Sequence, residues 1–250
     1  MKKITKKLFN PDLHEASDAI DRILKAKPKS GARHHIFLPH GRGAGVSTFC
    51  TFKILQFLET EKNGKALVFK QHIETIRECM EVFRWAINIL GREDDYEISK
   101  HYLRIKHKGT NATVYFRGID SLPRCHMVDT SIMGPVRILF FEDADQCDCD
   151  VWMNLAWNNL FEGEAFKNSI ALFSFNTPSF SLHWINNWVR ISLLEMREHG
   201  TQSKWQAYYA DYRHMPKEWL GKRFFEQAKS LKKLNPKLYN NEYLGLSTKQ

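Results

Sequence analysis

A glycine-rich loop stands between an apolar run and an amphipathic segment near the start of the chain, and this order constrains the fold more than any other feature. The run "HHIFLP" (34–39) is short and apolar, which is typical of a buried strand, and residues 47–62 carry apolar side chains at helical spacing. The loop "HGRGAGVST" between them contains Gly41, Gly43 and Gly45. A strand, a glycine loop and a helix in this order predict one unit of a parallel sheet.

Strand and helix patterns continue to alternate along the chain. Helices are predicted over 12–26 and 74–90, and buried strands over 65–69, 136–143 and 169–176. The segments 102–105 and 112–116, joined around Lys108-Gly109, are predicted to form an antiparallel hairpin. The expected fold is therefore α/β, with a mainly parallel central sheet, helices on both faces and an antiparallel hairpin.

Composition adds limits on partners and compartment. The chain has 250 residues, of which 43% are hydrophobic, and a formal net charge of +9. This charge favours a polyanionic partner, nucleic acid first, although a solvated basic surface explains it equally well. No apolar run is long enough to cross a membrane, so no membrane partner is expected. Five cysteines in a chain of this size indicate a reducing setting, and the pair in "CDCD" (147–150) lacks a second pair at metal-site spacing.

The glycine loop has most of the parts of a phosphate-binding site. Its backbone N–H groups can point at one anion, the following helix adds its dipole, and Ser47 stands where a hydroxyl would bind Mg²⁺. Val46 occupies the position of the usual lysine, and an isopropyl group cannot contact phosphate. Arg42 is the candidate substitute, with His40 and Arg33 as weaker ones. Taken alone, the loop could equally be an ordinary strand-to-helix turn.

Two acids and an amide follow other predicted strands. Glu142 and Asp143 end the run "ILFF", and Asn176 ends "SIALFSF". Because ligands bind at the carboxyl ends of parallel strands, these residues and the glycine loop are expected at one edge of the sheet. Glu142 suits the metal, Asp143 suits the attacking water, and Asn176 could sense the terminal phosphate. Together they predict a site for a nucleotide and Mg²⁺.

The ordered segments resemble one family, the large terminase subunit of tailed bacteriophages. The similar stretches are "HGRGAGVST", "VFKQHIETIRECMEVFRWAINILG", "YLRIKHKGTNATVYFRGID", "ILFFEDADQ", "FSFNTPSFSLHW" and the region ending "NPKLYNNEYLG". The resemblance implies a P-loop NTPase fold over 33–245, preceded by a basic segment over 1–32. It implies that the nucleotide is held by the loop residues and Asn176: Gly41, Arg42, Gly43, Ala44, Gly45, Val46, Ser47, Thr48 and Asn176.

The resemblance also implies roles for single residues. Glu142 and Ser47 would hold the metal and Asp143 would be catalytic, while Asn176 and His183 fall in the segment that couples hydrolysis to movement. An arginine from a neighbouring copy would complete the site, and Arg124 is preferred to Arg137 because a loop can cross an interface. The candidate DNA contacts are Lys106, Lys108, Lys217, Lys222, Arg223, Lys229, Lys232 and Lys233.

The implied function is ATP hydrolysis that drives double-stranded DNA into the prohead in the host cytoplasm. The implied partners are DNA of any sequence, the portal and prohead, the small terminase subunit, and further copies in a ring, with a monomer in isolation as the alternative state. The family usually continues into a nuclease domain, which this sequence lacks, so no nuclease activity is expected from these residues. The alternative is a nucleotide- or DNA-binding assembly module with little hydrolysis, because Val46 replaces the lysine.

Overall fold

One mixed sheet runs through the computed structural model, which describes residues 2–26, 32–121, 136–151 and 168–247. Its strands are β1 Arg33–His40, β2 Lys65–Lys70, β3 Tyr96–Ser99, β4 Arg104–His107, β5 Thr113–Gly118, β6 Ile138–Glu142, β7 Ser169–Asn176 and β8 Trp205–Ala207. The α-helices that lie wholly within the described ranges are α1 His14–Lys25, α2 Val46–Thr60, α3 Ile73–Leu90, α4 Trp184–His199, α5 Lys217–Leu234 and α6 Pro236–Glu242.

The strand order is β3-β4-β5-β2-β6-β7-β1-β8. All neighbours from β5 to β8 run parallel, and β3, β4 and β5 pair antiparallel. The strand that precedes the glycine loop, β1, is separated from the acid-bearing β6 by β7 alone. The predicted α/β fold with a mainly parallel sheet and an antiparallel extension is confirmed.

Helices cover both faces of the sheet. On one face α1, α2 and α3 pack against side chains such as Ile36, Val68 and Phe140. On the other face α4 packs against Phe37 and Phe173 and their neighbours. Within the described ranges, the helices include none that combines the length and the apolar character needed to span a bilayer.

The N-terminal helix belongs to the main core. Its buried side chains, among them Ala16, Ile20 and Ile23, join the same cluster as α2 and α3. The basic segment predicted over 1–32 therefore supplies a core-forming helix, although most of its polar residues lie on the surface.

The strand predicted over 102–105 is wrong in position. Residues 101–103 form a turn in which Leu103 has a φ of 45° and Tyr102 is 63% exposed, and β4 begins only at Arg104. The sequence "YLRI" predicts a strand because tyrosine and leucine are common in strands, but here both residues lie in the turn before β4. The short strands β3 and β8 were not expected, since neither has a long apolar run.

Candidate functional site

The glycine loop lies between β1 and α2 and leaves a set of N–H groups unpaired. Gly43 and Gly45 have φ angles of 79° and 74°, which side chains with a Cβ rarely adopt. The N–H groups of Gly43, Gly45, Val46 and Ser47 donate to no group in the described part of the chain. They stand at the N-terminus of a 15-residue helix, where the helix dipole favours negative charge. The loop is therefore chemically suited to a phosphate group.

Val46 is a core residue. Its side chain is 2% exposed and packs in the same cluster as Phe49 and Leu55 of α2. The isopropyl group therefore stabilises the start of α2, while the backbone N–H of the same residue remains available to an anion.

Strand register brings the predicted residues to one edge of the sheet. His40, the residue before the loop, pairs with Asn176 at the end of β7, and Glu142 at the end of β6 pairs with Ser174 of β7. Phe69 of β2 pairs with Phe141, which places Lys70 beside Glu142. The glycine loop, Asn176, Glu142 and Lys70 therefore follow one another along the carboxyl edge of four adjacent strands.

Glu142 is the buried acid of this edge. It is 9% exposed, and its Oε2 atom has no hydrogen-bond partner among the described residues. It lies on the sheet face covered by α2 and α3, since its charge contributes, after burial, to the raised pKa values of the Cys50 and Cys79 thiols on those helices. An unpaired buried carboxylate oxygen is costly, and a divalent cation would satisfy it. Glu142 is therefore chemically suited to a divalent cation, and Ser47 stands partly exposed at the start of α2.

Asp143 is held by a cation that the sequence reasoning did not assign. Asp143 has a left-handed backbone, with a φ of 53°, and its Oδ2 lies 2.9 Å from Nζ of Lys70. Burial lowers the pKa of Lys70, but its hydrogen bond to Asp143 and the charges of Asp143 and Glu142 outweigh burial and raise it. Lys70 is therefore charged at neutral pH and fixes the Asp143 carboxylate. The sequence shows that Lys70 stands at the end of a predicted strand. It does not show that Asp143 is its partner, because Asp143 follows a different strand.

Asp145 lies two residues beyond Asp143. Burial, and after it the charge of Asp143, raises the pKa of Asp145 to about 6. The two acids differ in their surroundings, because Asp143 is paired with Lys70 whereas Asp145 is partly buried and has no ion pair among the described residues.

Arg42 and Asn176 share a pocket of about 390 Å³ with Thr177, Asn241 and Glu242. The Oγ1 atom of Thr177, a residue that is 5% exposed, has no hydrogen-bond partner within the described ranges. The structure therefore brings Arg42 next to Asn176, on the side of the loop that faces the end of β7.

The end of the chain packs on the first half of the loop. The N–H of Arg42 donates to the carbonyl of Glu242 at 2.6 Å, and the N–H of Gly41 donates to that of Ala210 at 3.2 Å. A Cβ at Gly41 would collide with the carbonyl of Tyr243, so this position requires glycine. This contact was not visible in the sequence, because it joins positions that lie far apart.

An apolar pocket of about 590 Å³ adjoins the other half of the loop. Gly43, Gly45 and Thr48 line it together with aromatic side chains that include Trp85 and Trp219. Asn10, also in its lining, is buried, and its Nδ2 donates to the carbonyls of Ala44 and Asp211. The size and apolar lining of this space suit a flat aromatic ring system attached to the phosphates.

The remaining predicted residues have different positions. Arg124 lies outside the described residues. Arg137 immediately precedes β6, at the opposite edge of the sheet, and is bound to Glu61 at 3.2 Å and to the Asn168 carbonyl at 2.6 Å. His183 caps α4, where its Nδ1 accepts from the N–H of Ile185 at 3.4 Å.

Comparison with known proteins identifies similar chains. A family model described as "Phage terminase large subunit" matches residues 32–246. The large terminase subunit of Bacillus phage SPP1 is 23% identical over 214 residues, which are 83% of this chain and 47% of that protein. The chain thus spans about half the length of this curated relative.

Solved structures share the fold. The large terminase ATPase domain of Thermus phage P74-26 aligns with a TM-score of 0.60 at 12% identity, covering 92% of this chain and 93% of that one. A large terminase from a thermophilic bacteriophage, crystallised in complex with ATP-gamma-S, gives a TM-score of 0.62 at 14% identity and covers 95% of this chain and 52% of its own.

Proposed function

This chain belongs to the phage terminase large subunit family, and we propose that it is the ATP-hydrolysing motor domain that drives double-stranded DNA into the prohead. The observation that carries the proposal is one edge of the sheet. The glycine loop, with its unpaired N–H groups, follows β1. The buried Glu142 ends β6 and the lysine-bound Asp143 follows it, and only β7 lies between β1 and β6.

Each of these groups has a distinct task in the proposed reaction. The loop N–H groups and the α2 dipole bind the phosphates, and Arg42 supplies the side-chain cation that Val46 does not. Glu142 and Ser47 hold Mg²⁺, which neutralises phosphate charge when it is bound. Asp143 orients the attacking water, and Asn176, at the end of β7, senses the terminal phosphate. The pocket beside Trp85 and Trp219 holds the base.

The motor needs partners beyond this domain. We infer that it works on DNA of any sequence, as a ring of copies docked on the portal of the prohead, with the small terminase subunit, in the host cytoplasm. A neighbouring copy supplies an arginine, and Arg124 remains our candidate. These partners follow from the proposed role and rest on family membership.

Nucleotide binding to a metal-site variant tests the proposal. ATP affinity is measured with and without Mg²⁺ for the wild type and for Glu142→Gln, which keeps the size of the side chain. The wild type is expected to bind more tightly with Mg²⁺, and Glu142→Gln is expected to lose this gain while retaining the metal-free affinity. Equal Mg²⁺ dependence in both proteins would contradict the assignment of Glu142.

A further inference from the structure

One half of a sheet face is lined with cations. Arg104 and Lys106 of β4 pair with Tyr115 and Thr113 of β5, and Lys65 of β2 pairs with Thr113 from the other side. Because side chains alternate along strands, Lys65, Arg104, Lys106 and Arg117 point to the same face, the face that carries Leu67 and Phe69. We call these four cations the basic sheet face. They are all partly exposed.

The charges of the basic sheet face are poorly balanced by acids. Glu97 of β3 shares the face and pairs with Arg104 at 3.3 Å. Lys65 and Lys106 have no ion pair within the described ranges. Burial, and after it the charges of Lys106 and Arg104, lowers the pKa of Lys65. These cations therefore repel one another in the free protein, a cost that a bound polyanion would reverse.

Aromatic rings support two of the cations. The guanidinium of Arg117 lies 5.6 Å from the ring centre of Tyr115 and also donates to the Phe116 carbonyl at 2.8 Å. The guanidinium of Arg104 lies 5.4 Å from the ring centre of Tyr102. Held in this way, each arginine loses less conformational entropy when it binds an anion.

The basic helix α5 is the competing surface, and its charges are arranged differently. The helix is kinked at Gly221, whose φ of 74° and ψ of 159° are not helical. Beyond the kink, helical spacing places Glu226 on the same side as Lys222 and Lys229, and Lys222 pairs with Glu226 at 3.6 Å. α5 carries six basic and two acidic residues, and all eight are exposed, so solvent and salt screen these charges more than those of the partly buried cations of the basic sheet face.

We propose that the basic sheet face binds the phosphate backbone of double-stranded DNA. Neighbouring strands lie about 4.8 Å apart and residues i and i+2 about 7 Å apart, so Lys65, Arg104 and Lys106 can each neutralise a different phosphate. The contact carries no base readout, which fits a partner of any sequence. This inference rests on the proposed function, and it narrows the candidate contacts to strands rather than to α5.

Paired charge-matched variants test the inference. Binding of a short mixed-sequence duplex to the whole chain is measured over a range of salt concentrations for the wild type, Lys65→Ala/Lys106→Ala and Lys229→Ala/Lys233→Ala. ATP turnover without DNA is measured for each protein. The sheet variant is expected to bind more weakly and to lower the slope of log affinity against log salt by about 2, with unchanged basal turnover. The helix variant is expected to keep the wild-type slope.

Rescue separates a charge contact from a structural effect. Lys65→Arg/Lys106→Arg keeps both charges and is expected to restore the slope. A sheet variant that keeps the wild-type slope, or a helix variant that loses more than the sheet variant, would overturn the inference while leaving the proposed motor intact. A wild type that hydrolyses ATP but binds no duplex would overturn both the inference and the DNA part of the proposed function.

Discussion

Lys70 Nζ lies 2.9 Å from Asp143 Oδ2 and joins the end of β2 to the residue that follows β6. The lysine side chain is 15% exposed and the aspartate side chain 28%, so the pair is partly shielded from solvent. Asp143 also adopts a left-handed backbone, with a φ of 53°, which costs free energy in a residue with a side chain. The ion pair with the partly buried Lys70 therefore fixes the proposed catalytic carboxylate, which stands on a strained backbone.

Loss of this cation should slow hydrolysis more than it weakens binding. Lys70→Ala leaves Asp143 without its partner and free to turn, and misplacing a reacting group can cost up to about 100-fold in kcat. The KM for ATP should change little, because Lys70 is placed beside the acids and not in the glycine loop. Steady-state ATP turnover measures both constants, and Lys70→Arg is the matched control that keeps the charge. A variant with raised KM and unchanged kcat would assign Lys70 to phosphate binding instead.

Substitutions at Arg42 and Val46 test whether Arg42 is the loop residue that supplies the positive charge. Arg42→Ala should weaken ATP binding by about 10-fold or more, the usual range for a hydrogen bond to a charged group. Val46→Lys should lower the free energy of unfolding by about 1–3 kcal/mol, because Val46 is 2% exposed and its site is apolar. Isothermal titration and denaturant unfolding measure the two effects, with the exposed Arg223→Ala as the control for lost charge. Full ATP affinity in Arg42→Ala would show that another group supplies the charge.

Titration of Asp145 should make the free energy of unfolding depend on pH. Its pKa of about 6 in the folded state lies above the ordinary aspartate value of 3.8, so the folded state binds more protons than the unfolded state between these pH values. Stability should therefore fall as pH rises through this window and stay constant above it. Asp145→Asn should raise the free energy of unfolding at pH 8 by about 1–2 kcal/mol, with no gain below pH ~4. Denaturant unfolding at several pH values checks this, with Asp148→Asn, an exposed acid of the same segment, as control. An equal gain at every pH would rule out titration of Asp145.

The sequence predicted those parts of the site that follow from local order. A buried strand, a glycine loop and a helix lie together in the chain, so the loop and the start of α2 could be placed from residues 34–62. Glu142 and Asp143 could be placed because parallel strands end at the same edge. The strands β6 and β7 could be predicted from their continuous apolar runs alone, without knowing which strands lie beside them.

Other contacts depend on strand order and on the path of the chain. Lys70 meets Asp143 only because β2 lies beside β6, and the sequence does not show which strands are neighbours. The carbonyl of Glu242 reaches Arg42 because the last helices fold back over the loop. In the sequence Val46 shows only that the usual lysine is missing, because its role in the core depends on how α2 packs.

The most direct test of the motor assignment is ATP turnover in the assembled system. Turnover is measured on proheads with double-stranded DNA for the wild type and for Asp143→Asn, a variant of the same size that cannot act as a carboxylate. The wild type should hydrolyse ATP with Mg²⁺ and fill the prohead, and Asp143→Asn should bind ATP normally but turn over at least about 100-fold more slowly. A wild type that is no faster than Asp143→Asn under these conditions would contradict the assignment of this chain as an ATP-driven motor.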